Sequence, residues 1–185
     1  LKYLFLRNGD LNATNVDSNF GSFDENKINV LYISNRVSID DKFFKYVKEN
    51  NSFNLVSMGC GGIETAVKFG FPILGSVLDE EFATLTGLLD GVIIDEGCTM
   101  PGFLKKVSEL EIPLLSKCRS TKDAFSFLSS LNIRSRNDNH VSLSKSKAYI
   151  GLPDKNLSKL NVKGYVIIPG CSGSCFGEKF IDGIK

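Results

Sequence analysis

Short apolar runs alternate along this chain with longer segments whose apolar residues recur at helical spacing. The apolar runs, rich in β-branched residues, cover 28–33, 53–58, 91–95, 112–115 and 162–168. The helical segments cover 40–50, 61–69 and 80–89, the last with the apolar residues Phe82, Leu85, Leu88 and Leu89 on one side. Two further helices are expected, one that begins near Pro101 and one that Thr121 caps. Continuous apolar runs are typical of parallel strands that are buried on both faces. The pattern therefore predicts an α/β fold, a three-layer Rossmann-like domain with a mainly parallel sheet.

Two stretches interrupt this alternation. Residues 1–27 form a poorly patterned N-terminal arm, in which a short apolar stretch is followed by a polar loop rich in Asn, Asp, Ser and Gly. Residues 132–147 are polar and rich in serine, which predicts a surface loop. Neither stretch reads as a linker between domains, so we expect one domain over 1–185.

The composition is that of an ordinary globular protein. Of the 185 residues, 42% are hydrophobic and 23% are charged, and the formal net charge is +1. No excess of basic residues indicates binding to nucleic acid or to an anionic membrane surface. The apolar runs are far shorter than the roughly 20 residues of a membrane span, and the first residues lack the layout of a signal peptide. We therefore expect a cytoplasmic protein.

Cysteines are the candidate chemical residues. There are five, an odd count that argues against a disulfide framework and favours a reducing compartment. Cys60, Cys98 and Cys171 each follow a glycine at the end of a predicted strand. The carboxyl ends of parallel strands meet at one edge of a sheet, where ligands bind and where helix N-termini favour the thiolate. Soft thiolates select iron-sulfur clusters, zinc or copper(I).

Other interpretations of these residues stay open. Cysteines at strand ends are often small buried hydrophobic residues, and Cys118, which no glycine precedes, fits that description best. The pair Cys171 and Cys175 has the spacing C-x-x-x-C, which is weak support for a zinc site. The Gly-Cys-Gly-Gly sequence at 59–62 is compatible with a phosphate-binding nest, although it matches neither the dinucleotide-binding nor the P-loop pattern.

The remaining titratable candidates have ordinary explanations. His140 is the one histidine, and its polar surroundings predict a solvated loop residue. Glu64, Glu80 and Glu81 lie on predicted helices near the cysteine edge, where a solvated helix face explains them. Glu81, directly before Phe82, is the candidate for an inward-facing carboxylate. The residues alone identify no catalytic group.

A longer motif surrounds the first two strand-end cysteines. It combines a Cys-x-Gly-x-Glu turn at 60–64, a Gly-x-Pro-x-x-Gly segment at 70–75, Leu78, Glu81, Thr86-Gly87, and a strand ending in Asp-x-x-Cys-x-Met-Pro at 95–101. In these features the chain resembles the nickel-iron-sulfur carbon monoxide dehydrogenases and, more distantly, the hybrid cluster (prismane) proteins. The strand that ends in Pro-Gly-Cys at 169–171 is similar to a later strand of that family.

The resemblance implies that Cys60, Cys98 and Cys171 hold an iron-sulfur cluster, with or without nickel. The full enzymes of that family oxidise CO with water to CO2, two electrons and two protons. The resemblance also implies missing parts: residues 31–35, where the family carries a histidine ligand, contain no histidine. Further cysteine ligands and the electron-relay region have no counterpart either.

Two expectations follow for the chain as a whole. If it binds a cluster, a partner chain or a second copy completes the ligand set, and the isolated chain does not turn over CO. The alternative is a non-catalytic scaffold or assembly module that keeps the fold without a complete metal site.

Overall fold

The computed structural model describes residues 14–118, 120–136 and 145–150. The strands are β1 (Thr14–Ser18), β2 (Ile28–Ser34), β3 (Phe53–Met58), β4 (Leu89–Asp95), β5 (Leu114–Ser116) and β6 (Ser146–Ile150). The α-helices are α1 (Asp41–Glu49), α2 (Gly59–Phe69), α3 (Glu80–Leu85), α4 (Pro101–Glu109) and α5 (Thr121–Ser130). No helix within these ranges has the length and apolar character needed to cross a membrane. The cytoplasmic location stays a prediction.

The chain divides into two compact units. The first consists of Leu1–Asn15 and Tyr149–Lys185, most of which lies outside the described residues, and the second is Val16–Ala148. The prediction of one domain over 1–185 therefore stays a prediction. The four-stranded sheet, its helices, Cys60 and Cys98 belong to the second unit.

The centre of this unit is a four-stranded parallel sheet with the strand order β3-β2-β4-β5. Ile33 of β2 is level with Met58 of β3, and Ser34 is level with Asp95 of β4, so the three strands end at the same height. The chain passes from β2 to β3 on one side and then to β4 on the other. The ends of β2 and β4 are therefore the topological switch point of the sheet.

Helices cover both faces of this sheet. On one face, α1 and α5 pack against β2, β3 and β4 through Phe43, Phe44, Val47, Ala124, Leu128, Val30, Tyr32, Leu55 and Ile93. On the other face, α3 and α4 pack against the same strands through Ala83, Phe103, Val107, Leu31, Ile33, Val56, Val92 and Ile94. Alternate strand residues are buried on opposite faces, which explains why apolar residues occur on both faces of the strands. The predicted three-layer α/β fold with a parallel sheet is confirmed.

Helix α3 is shorter than predicted. It ends at Leu85 instead of continuing to 89, and Leu89 begins β4. The hydroxyl of Thr86 donates a hydrogen bond to the carbonyl oxygen of Ala83 at 2.7 Å, and Gly87 follows with a φ of 69°. A glycine in the left-handed conformation is a common helix end, since it carries no Cβ that would clash.

The buried face of α3 also differs from the prediction. Spacing suggested that Phe82 and Leu85 face the core, but their side chains are 56% and 69% exposed. The buried residues of this helix are instead Glu80, Ala83 and Thr84. Ala83 and Thr84 lie three and four positions after Glu80, so the three residues share one face of the helix. Because they are small or polar, this face gives little hydrophobic signal in the sequence.

The other predicted elements agree with the structure within a few residues. Strand β3 has the predicted bounds, and β5 begins at Leu114 instead of 112. Ser120, not Thr121, caps α5, because its hydroxyl accepts a hydrogen bond from the backbone N–H of Asp123 at 3.1 Å. The arm predicted over 1–27 contains β1, and the loop predicted over 132–147 overlaps the start of β6. The strand predicted over 162–168 lies outside the described residues.

A buried ion pair joins the amino end of β4 to the segment that follows α5. Asp90 is fully buried and pairs with both terminal nitrogens of Arg136, at 2.9 and 2.8 Å. The backbone N–H groups of Asn29 and Arg134 also donate to the Asp90 carboxylate, at 2.7 and 2.8 Å. Bidentate pairs of an arginine with a carboxylate are the strong form of a salt bridge. This clasp lies at the end of the sheet opposite the cysteines and therefore serves the fold.

Candidate metal centre

Cys60 lies in the first turn of α2, directly after β3, and is half-buried. The turn approaches the end of β2 very closely. Gly59 has a φ of 81°, and a Cβ on it would collide with the carbonyl oxygen of Ser34. A Cβ on Gly61 would likewise meet the Ser34 side chain. The glycines on either side of Cys60 are therefore what allows the helix to begin against β2.

Cys98 lies in the turn between β4 and α4 and is exposed. The side-chain amide of Asn35, just past the end of β2, donates a hydrogen bond to the Cys98 Sγ atom, with a distance of 2.9 Å between nitrogen and sulfur. The backbone N–H of Asn35 donates to the carbonyl oxygen of Glu96 at 3.3 Å. This contact joins the ends of β2 and β4, which is the switch point where open α/β sheets bind ligands.

The buried carboxylate of Asp95 supports this end of the sheet. It accepts hydrogen bonds from the Tyr32 hydroxyl and from the backbone N–H of Ser38, both at 2.8 Å, and from the Ser38 hydroxyl. Burial raises the pKa of Tyr32 far above its usual range, so this hydroxyl stays a donor. Asp95 thus ties the connection between β2 and α1 to β4 and keeps Asn35 near Cys98.

Cys118 differs from these two cysteines. Its side chain is 5% exposed and belongs to the core on the α1 and α5 face. Its Sγ atom contacts the carbonyl oxygen of Ser120 at 3.4 Å, and burial raises the pKa of the thiol above its usual value. A neutral buried thiol behaves as a small hydrophobic residue, as expected from the sequence.

The described residues contain part of the predicted ligand set. Cys60 and Cys98 lie at the ends of β3 and β4, on either side of β2. Cys171, Cys175 and His140 lie outside the described residues. Within the described ranges, no three His, Cys, Asp or Glu side chains are grouped closely enough to hold a metal ion. The donors that are present, an exposed and a half-buried thiol, fit a soft metal or an iron-sulfur cluster.

The acidic residues near Cys98 differ from the prediction. Glu81, expected to face inward, is exposed, and Glu80 is fully buried. The Oε2 atom of Glu80 accepts a hydrogen bond from the backbone N–H of Met100 at 2.8 Å. Burial is the main reason that the pKa of Glu80 rises to about 7, and repulsion from Glu81 adds to it. Glu64 is half-buried on α2.

Sequence reasoning missed Asn35 and Glu80. Asn35 directly follows the end of the first predicted strand, and a polar residue at that position is a signal for the switch point. Glu80 begins a helix whose next buried residues, Ala83 and Thr84, are small or polar. The sequence pattern therefore predicts that this face of the helix is exposed to solvent, although it is buried. Neither contact with the Cys98 turn can be read from local spacing.

Part of the sequence is similar to those of one group of known proteins. No family model matches it. Carbon monoxide dehydrogenase 1 of Methanosarcina mazei is 29% identical over an alignment of 94 positions, which covers 45% of this chain and 15% of the relative. Carbon monoxide dehydrogenase 1 of Carboxydothermus hydrogenoformans is 38% identical over 56 positions, 30% of this chain and 9% of the relative. Part of this chain is similar to carbon monoxide dehydrogenases.

Solved carbon monoxide dehydrogenases share the fold. A nickel-free enzyme from Thermococcus sp. AM4 matches 76% of this chain with a TM-score of 0.57 at 19% identity. Carbon monoxide dehydrogenase IV from C. hydrogenoformans matches the same share with a TM-score of 0.57 at 18% identity. The alpha subunit of an acetyl-CoA synthase/carbon monoxide dehydrogenase with NiZn[Fe4S4] and NiNi[Fe4S4] clusters matches with a TM-score of 0.52 at 17% identity.

These matches cover a small part of each relative. The chain spans 15% of the length of the M. mazei carbon monoxide dehydrogenase and 27% of the Thermococcus chain. The resemblance to carbon monoxide dehydrogenases that the motif at 60–101 indicates is confirmed. The more distant resemblance to hybrid cluster proteins stays a prediction, as do the metal-binding roles of Cys60, Cys98 and Cys171.

Proposed function

We propose that this chain is a carbon monoxide dehydrogenase-like domain that binds an iron-sulfur cluster, with or without nickel, through Cys60, Cys98 and Cys171. One observation carries the proposal: Cys60 and Cys98 follow the two strands that flank β2, and the Asn35 amide holds the Cys98 sulfur at the switch point. A site for an extended ligand between two strand ends is what this topology favours.

The residues of the chain have separable tasks in this proposal. Cys60 and Cys98 provide soft sulfur donors, which bind iron or nickel in preference to hard cations. Asn35 fixes the orientation of the Cys98 sulfur, and Asp95 fixes the backbone next to Asn35 through Ser38. Such hydrogen bonds around the ligands tune the affinity for the metal. A bound cluster would supply electron transfer at this edge of the sheet.

Catalysis of CO oxidation needs more than these ligands. The reaction of CO with water to CO2, two electrons and two protons belongs in this proposal to a completed site. The remaining ligands would come from a partner chain or from a second copy. The alternative is a scaffold or assembly module without a complete site, and it is supported by residues 31–35, which contain no histidine where the family carries a histidine ligand.

Anaerobic reconstitution tests the proposal. Purified protein supplied with iron and sulfide should acquire visible charge-transfer absorption and acid-labile sulfide, because thiolates at helix ends suit this chemistry. Single replacement of Cys60, Cys98 or Cys171 by alanine should lower the iron content, and Cys118→Ala is the matched control that should leave it unchanged. Equal absorption from all four variants, or none from the natural chain, would favour the scaffold alternative.

A further inference from the structure

The turn that carries Cys98 has no side-chain cap of its own. This turn covers residues 96–100 and leads into α4, whose N-cap residue, Met100, makes no capping hydrogen bond through its side chain. Helix N-termini present unpaired N–H groups and a partial positive charge, which acids stabilise. Any group that pairs with these N–H donors therefore also fixes the path of the turn.

The acids that meet this turn come from α3. Glu80 accepts the N–H of Met100 at 2.8 Å, and it is the fully buried acid of the helix. Glu81, its exposed neighbour, lies against the first turn of α4, where a Cβ on Gly102 would collide with its carboxylate. Among the described residues, the charged group that acts on Glu80 is Glu81, and it is acidic as well.

Burial removes the Glu80 carboxylate from water, which costs free energy unless hydrogen bonds compensate for the lost hydration. Its second oxygen, Oε1, is buried and has no hydrogen-bond partner among the described residues. A buried, half-satisfied carboxylate destabilises a fold compared with an apolar residue of the same size. Hydrophobic packing alone therefore does not account for a glutamate at this place.

We propose that Glu80 is a positioning residue for Cys98, which it holds in place by accepting the Met100 N–H from within the core. The inference rests on the proposed function in so far as it concerns metal binding. The anchoring of the turn does not depend on metal binding, because it is inferred from the hydrogen bond between Met100 and Glu80 and from the burial of Glu80. Loss of the anchor should loosen the turn and lower the affinity of the thiol site for soft metals. Replacing residues that support metal ligands through hydrogen bonds typically lowers the metal affinity by about 10–100-fold.

The two methionines of the chain make the anchor directly measurable. Labelling with 15N-methionine gives amide signals from Met58 and Met100 only, and Met58, in β3, serves as the internal control. In Glu80→Ala, hydrogen exchange at the Met100 amide should be roughly tenfold faster, while Met58 is unchanged. Glu80→Gln keeps an acceptor oxygen and should restore slow exchange.

The pH dependence separates positioning from a purely structural role. Burial raises the pKa of Glu80 to about 7, so the Met100 amide signal of the natural chain should shift with a midpoint near that pH. The shift should vanish in Glu80→Gln. Glu81→Gln is the matched control: the shift should persist, with a lower midpoint because repulsion from Glu81 raises the pKa of Glu80. A shift that persists in Glu80→Gln, or equal exchange in all variants, overturns the proposal.

A titration with Cd2+, followed by thiolate-to-metal charge-transfer absorption, tests the consequence for metal binding. Glu80→Ala should bind Cd2+ about 10–100-fold more weakly than the natural chain, and Glu80→Gln should bind it nearly as well as the natural chain. Equal Cd2+ affinity in Glu80→Ala, despite faster exchange at Met100, would show that the anchor does not position Cys98. If the natural chain binds no Cd2+, the proposed metal site fails, and the Met100 signal still decides whether the anchor exists.

Discussion

Replacing Asp90 with alanine should lower the free energy of unfolding by about 3–5 kcal/mol, the cost of removing one partner from a buried ion pair. The Arg136 side chain, 17% exposed, would keep its charge without a partner. The N–H groups of Asn29 and Arg134 would lose their acceptor in the same step. Urea unfolding at neutral pH measures the difference in the free energy of unfolding between the natural and mutant chains. The two transitions should have the same dependence on urea concentration.

The exposed pair of Lys106 and Glu109 is the matched control for that experiment. Both side chains are nearly half exposed, at 48% and 43%, and their nitrogen and oxygen lie 2.7 Å apart. Exposed pairs of this kind contribute little to stability, so Glu109→Ala should leave the unfolding midpoint unchanged. Equal effects of the two replacements would mean that the Asp90 clasp does not hold the segment after α5.

Replacing Gly59 with alanine should destabilise the chain by about 2–5 kcal/mol. The left-handed conformation costs a residue with a Cβ about 1–2 kcal/mol, and forced overpacking adds about 1–3 kcal/mol. Here the obstacle is the backbone carbonyl oxygen of Ser34, which cannot rotate away as a side chain would. The same collision should displace Cys60, which follows directly, and thereby reduce cluster formation.

Gly87→Ala is the control that separates conformation from collision. Gly87 has a φ of 69°, close to the 81° of Gly59, but a Cβ there would meet nothing within 4 Å. The control should therefore show only the conformational cost of about 1–2 kcal/mol and normal cluster formation. Thermal and urea unfolding of both variants measure the difference, and an equal loss of stability would show that the close approach to β2 is not needed.

The fold could be predicted from the sequence where the signal is local. Residues 53–58 are mostly apolar and are followed directly by a glycine, and the strand has those bounds. Helix α3 shows where the local signal fails, because Phe82 and Leu85 have the spacing of a core face but are exposed. Strand β1, with the sequence Thr-Asn-Val-Asp-Ser, has little apolar character and pairs with a strand more than a hundred residues away. Such pairing leaves no trace in a sequence window.

The candidate site could be predicted in part for the same reason. The glycine before Cys60 and before Cys98 marks the end of a buried strand, so the position of both thiols could be deduced. The donor to Cys98, Asn35, is 63 positions away in the chain, and Glu80 is 20 positions from its partner Met100. These partners depend on the strand order and on the angle of α3, which no local pattern reveals.

Thiol alkylation mapped by mass spectrometry, before and after anaerobic reconstitution with iron and sulfide, tests most directly whether the strand-end thiols hold a cluster. Cys60, Cys98 and Cys171 should react readily in the apo chain and should be protected together once the visible absorption has developed. Cys118, buried in the core, should react slowly in both states and provides the internal control. Protection of all three reactive thiols supports the cluster-binding domain, whereas unchanged alkylation of Cys98 in a chain that has acquired iron and sulfide would contradict it.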